Sequence, residues 1–165
     1  MVRSTLVAIH IASGLGGLSA GLATLAPPAP SGERRWVRQA YLASILTLFA
    51  SLVGMIAVDW AGLDTAARLT FSALAGLAAV MIYRLVRARG ETATREAGWQ
   101  RRYIDHVAFS YIALWEGFVI LPALNLPLPQ VSVPVVAIAV LLVGHTLTSR
   151  YKARVASGRA GAARG

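Results

Sequence analysis

The chain contains no cysteine. Disulfides, thiolate nucleophiles, iron–sulfur clusters and cysteine-ligated zinc are therefore excluded. Acidic residues are scarce: seven Asp and Glu stand against sixteen Lys and Arg, and only 14% of the 165 residues are charged. Histidine occurs three times. The chain also lacks a Walker motif, an HExxH pair, a nucleophile elbow and any repeat of fixed period. What it has in abundance is apolar side chains, 56% of the total. A soluble domain of this size could not cover so much apolar surface with so few charges, whereas a bilayer could solvate it. The net charge of +9 sits beside apolar runs. That placement points to anionic lipid headgroups at a membrane surface and away from nucleic acid.

The apolar residues gather in five runs, at residues 5–26, 40–58, 69–86, 103–124 and 133–149. A hydrocarbon core of about 30 Å takes about 20 helical residues. The expected fold is therefore all-α: an integral membrane bundle of five transmembrane helices forming one domain over residues 1–150. The third run is short, but arginine stems at its end can snorkel to the interface and lengthen it. The first run is long for a signal peptide, and Pro27 is a poor residue to follow a cleavage site, so it is expected to remain as a span. Residues 27–38 are rich in turn formers and read as a surface loop. Residues 90–100 read as loop or surface helix. A hairpin carrying Pro127 and Pro129 follows the fourth run, and Pro134 falls where a first helical turn tolerates it. Residues 151–165 are expected to form a basic, disordered cytoplasmic tail.

Charge sets the expected orientation. With five spans, one side collects Arg34, Arg35 and Arg38, then Arg84, Arg87, Arg89, Arg95, Arg101 and Arg102, then Arg150, Lys152, Arg154, Arg159 and Arg164. The other side holds only Arg3 and Arg68. Basic residues accumulate on the cytoplasmic side, so the N-terminus is expected outside and the C-terminus in the cytoplasm.

Three groups of residues are candidates for function. On the first span, His10, Gly14, Gly17 and Gly21 recur at intervals of four, three and four, hence on one helical face. Small residues let helices approach closely in lipid, so Gly14, Gly17 and Gly21 read as a packing face; a groove for a flat cofactor such as haem, with His10 as ligand, is the alternative. Glu116 lies in the middle of the fourth run, about 12 Å from its outer end, and His10 lies about 8 Å from the outer end of the first. An ionisable group at such depth is expensive and is a functional suspect by default. The matched depth of His10 and Glu116 suggests one polar site for a ligand or a proton; a purely structural hydrogen bond is the alternative. The third group, Asp105, His106 and His145, lies near the inner face beside several arginines. It reads as interfacial polar residues or as a secondary site, with two imidazoles on one iron as the sharper version. Helices packed at about 8–10 Å across a tight hairpin leave little room for a porphyrin, which argues against that version.

HIASGLGGLSAG in the first span and YIDHVAFSYIALWEGFVI in the fourth resemble segments of bacterial multi-pass inner-membrane proteins of an uncharacterised family. The resemblance implies a small helical bundle in the bacterial inner membrane and supplies no catalytic residues. The expected function is that of a small multi-pass protein with a polar intramembrane site at His10 and Glu116, binding a ligand or cofactor or handling protons, and not an enzyme acting on soluble substrates. The alternatives are a b-type haem protein passing electrons and an accessory subunit of a homo-oligomer or larger membrane complex. No metal ligand set is assigned.

Overall fold

A computed structural model describes residues 1–25, 35–123 and 126–162. Five long helices and one short 3₁₀ turn make up the described chain, with no strand among the described residues. The helices are α1 (Val2–Leu25), α2 (Arg35–Asp59), α3 (Thr65–Thr94), α4 (Trp99–Ala123) and α5 (Pro129–Ala162). Four of them, α1, α2, α3 and α5, are long and apolar enough to cross a membrane. Most of their large apolar side chains that lack protein neighbours point outward, among them Ile9, Leu15, Val53, Val80, Ile138 and Leu142. Exposed apolar surface on that scale marks a protein whose solvent is lipid.

The remaining helix, α4, is the centre of the bundle. It packs against α1, α3 and α5, while α2 packs against α1 and α3. Its Tyr103, Ile104, Val107, Ala108, Ser110, Ala113, Leu114 and Ala123 are buried. Arg101, Arg102, Asp105, His106 and Glu116 dilute the hydropathy of α4. A central helix can carry them because much of its surface meets other helices.

Neighbouring helices run antiparallel, as short connections require. Arg3 at the start of α1 pairs with Asp59 at the end of α2 (3.0 Å), and Glu91 near the end of α3 pairs with Arg102 at the start of α4 (2.7 Å). Lys152 late in α5 meets Asp105 early in α4. The hydrophobic core lies toward this basic end, around Tyr41, Ile45, Leu85, Tyr103 and Val107. The Tyr103 hydroxyl donates to the Thr24 carbonyl oxygen (2.9 Å), tying α4 to the end of α1. At the opposite end, Asp64 caps α3 by accepting from the Ala67 amide (2.7 Å), and the Arg68 guanidinium lies 5.1 Å from the Trp60 ring.

Several boundaries differ from the sequence reading. Helix α3 begins at Thr65 and continues to Thr94, so the first five of residues 90–100, read as loop or surface helix, are helix. It ends where Arg95 turns left-handed (φ 50°) and Gly98 follows at φ 76°, a conformation glycine adopts without strain. Helix α5 starts at Pro129, which puts Pro134 inside the helix rather than in its first turn. It also continues to Ala162, so most of the expected disordered tail is helical. Lysine, arginine and alanine favour helix, and Tyr151 and Val155 pack against the core, which extends α5 beyond its apolar run. Of the expected loop at residues 27–38, residues 35–38 form the first turn of α2, while residues 27–34, like residues 163–165 of the tail, lie outside the described residues.

Candidate functional site

The glycine stripe of α1 is where three helices meet. Gly14, Gly17 and Gly21 are all buried. A Cβ added at Gly14 would meet Leu48 and Phe118, one at Gly17 would meet Leu114 and Ile45, and one at Gly21 would meet Tyr111 and Tyr41. The stripe thus seats α1 against α2 on one flank and α4 on the other. Large side chains of the neighbours fill the space beside it, leaving no slot for a flat cofactor.

His10 belongs to the α2 flank. Its Nδ1 lies 3.1 Å from the Ser51 hydroxyl oxygen, and Ser51 in turn donates to the Leu48 carbonyl oxygen (2.9 Å). Ser51 was not singled out from the sequence. Its position on α2 becomes informative only once the register between α1 and α2 is known.

Glu116 answers to different neighbours. The facing pairs Gly14–Phe118, Gly17–Leu114 and Gly21–Tyr111 set the antiparallel register of α1 and α4. That register puts His10 level with residue 122, six residues or about 9 Å along the axis from Glu116. Glu116 is also two residues from both Leu114 and Phe118, hence about 160° around α4 from the side that meets α1. Among the described residues no hydrogen bond or ion pair joins His10 to Glu116. The structure does not bring the expected pair together.

Instead Glu116 continues the stripe of Asp105, Phe109 and Ile112. Asp105 meets Lys152 of α5, Ile112 packs on Gly144 of α5, and Phe109 lies under the Arg84 guanidinium of α3 (4.4 Å). Glu116 therefore faces α3 and α5. The contacts Ser110–Met81 and Arg102–Glu91 place Ala75, Gly76 and Leu77 of α3 at its level. The contacts Ile112–Gly144 and Asp105–Lys152 place Val140 and Leu141 of α5 there. None of these side chains carries a donor or a positive charge. Accordingly Glu116 Oε1 is buried and has no hydrogen-bond partner. Next to it, Gly117 has open space where a Cβ would be.

The inner-face group also divides. Asp105 is held by Lys152 Nζ (2.5 Å), a partner the sequence reading placed nearby without pairing. His106 turns toward α3, where Arg84, Arg87 and Glu91 are the charged groups around it, and its Nδ1 is buried without a partner. His145 is exposed on α5. The α4–α5 register puts it level with residues 111–112, about 8 Å along the axis from His106. The two imidazoles do not face one another. No cluster of three or more His, Asp or Glu side chains among the described residues could hold a metal ion.

The chain matches no known protein family, no curated protein and no solved structure, so the functional reading rests on its own geometry.

Proposed function

We propose that this chain is a small multi-pass protein of the bacterial inner membrane in which α4 is a fifth span, and that its working group is the Glu116 carboxyl. The carboxyl binds a proton, or a small ligand that brings a donor or a positive charge. One observation carries the reading: on the half-buried Glu116 side chain, Oε1 is itself buried with no partner. An ionised carboxylate at the centre of a span costs about 2.5–3.5 kcal/mol on insertion scales. An unpaired buried oxygen calls for an explanation, and a partner from outside the chain supplies one. His10 has a different role, bridging α1 to α2 through Ser51.

A hydrophobic carbodiimide tests the carboxyl directly, because it adds to a protonated acid in apolar surroundings and leaves a stable acylurea. Mass spectrometry of the membrane-embedded protein should find the label on Glu116, with Glu116→Gln unlabelled. The neutral acid is the reacting form, so labelling should fall as pH rises. An unlabelled Glu116 under acidic conditions, with Asp59 or Asp105 labelled instead, would rule the site out.

The orientation rests on the fourteen-to-two division of basic residues. A reporter fused after Gly165 should read as cytoplasmic, and one inserted between Ala61 and Thr65 as external. Matching signals from the two positions would mean that an even number of spans separates them, contrary to the five-span reading.

A further inference from the structure

We infer that the cleft between α4 and α5 is a binding site for one anionic phospholipid of the inner leaflet, with its acyl chain along the cleft and its phosphate at Arg101 and Lys152. This goes beyond the Glu116 reading and does not involve its carboxyl; only the choice of leaflet rests on the proposed orientation. The cleft is a groove of about 790 Å³ lined by apolar groups, including Ala108, Tyr111 and Trp115 of α4 and Val140, Val143 and Leu147 of α5. On α5 it runs from Ala139 to Tyr151, which is about 18 Å at 1.5 Å per residue. Half of a hydrocarbon core is about 15 Å thick. The groove therefore matches the depth of one leaflet, starting from the basic end of the bundle.

At that end the groove adjoins a second hollow of about 390 Å³, with Ile104 as their shared floor. Beside the apolar Ile104, Ala153 and Val155, its lining carries Gln100, Arg101, Ser149 and Lys152. Lys152 Nζ is already held by Asp105 Oδ1, so it arrives in place with further N–H bonds to give. Arg101 is exposed and has no side-chain partner among the described residues. A guanidinium offers a planar fork that suits a phosphate. An apolar slot one leaflet deep, with a cationic mouth at the headgroup level, has the shape and charge order of a single anionic lipid. A zwitterionic lipid fills the slot but brings its own cation to the mouth, and a second copy of this chain brings a net charge of +9 to it.

The test uses the full chain in detergent, titrated with phosphatidylglycerol or phosphatidylcholine and read by native mass spectrometry. One phosphatidylglycerol per chain is expected, bound more tightly than phosphatidylcholine. Arg101→Gln should weaken it about fivefold, as one basic residue near a lipid surface contributes about 1 kcal/mol. Arg101→Lys should restore most of that loss. Val143→Trp fills the slot from an exposed position and should abolish binding of both lipids. Equal affinity for the two lipids, indifference to Arg101→Gln, or retention of lipid by Val143→Trp would overturn the proposal. So would a Val143→Cys crosslink between two chains that forms equally well with and without phosphatidylglycerol.

Discussion

Gly21→Leu should abolish accumulation of folded protein, and Gly21→Ala should lower its thermal midpoint by several degrees. Even a single methyl group at Gly21 would sit 2.6 Å from Tyr111 Cδ2 and 2.9 Å from Tyr41 Cε2. Tyr41 has no room to yield, because it is fully buried within the core. Tyr111 is half-buried and can give only by moving toward the α4–α5 groove. Overpacking of this kind costs about 1–3 kcal/mol, and leucine adds three more carbons to the same space. Gly117→Ala is the control: its Cβ enters open space, and alanine favours helix over glycine by about 1 kcal/mol. It should leave the midpoint unchanged or raise it. Fluorescence-detected size exclusion with a heating step would read both variants. Pairing Gly21→Ala with Tyr111→Leu should restore part of the loss. An unchanged midpoint for Gly21→Ala would mean that α1 and α4 do not meet along the glycine stripe.

That stripe was legible in the sequence because spacing alone puts Gly14, Gly17 and Gly21 on one face. The long apolar runs were legible for a similar reason: bilayer thickness sets their length. The central place of α4 was not drawn from the sequence, although its composition carries a hint of it. A helix that mixes Arg102, Asp105 and Glu116 with apolar residues cannot present its whole circumference to lipid. Partners were not legible. Depth along a span can be counted from its ends, but the direction a side chain takes depends on which face the neighbour occupies. His10 and Glu116 looked alike in depth, yet the register of α1 on α4 separates them by about 9 Å and puts Glu116 on the far side of its helix. Ser51, one of many hydroxyls in apolar runs, carried no signal before α1 and α2 were docked. The basic end was misread for another reason. A stretch of small and basic residues resembles a disordered tail, but the same residues are good helix formers. Tyr151 and Val155 anchor the first turns of the extension to the core.

Glu116→Leu should raise the thermal midpoint by a few degrees while removing whatever activity the protein has. A carboxyl oxygen buried without a partner costs stability, at about 1–3 kcal/mol for an unsatisfied polar group. Leucine has a similar volume and no such cost. Its neighbours at that level, Leu77, Val140 and Leu141, are themselves apolar and accept it. Apolar replacement of a buried polar group is often neutral or stabilising for the same reason. Glu116→Gln separates stability from function. It keeps the shape and a donor but cannot exchange a proton or carry a charge, so its midpoint should lie close to wild type while carbodiimide labelling is lost. A structural carboxyl would behave in the opposite way. If Glu116 anchored a neighbour, both variants would lose stability, and Glu116→Leu would lose more. Thermal midpoints of the three proteins in one detergent decide between the two. A midpoint for Glu116→Leu several degrees below wild type would show that the chain itself supplies a partner to Glu116, and the case for an outside ligand would fail.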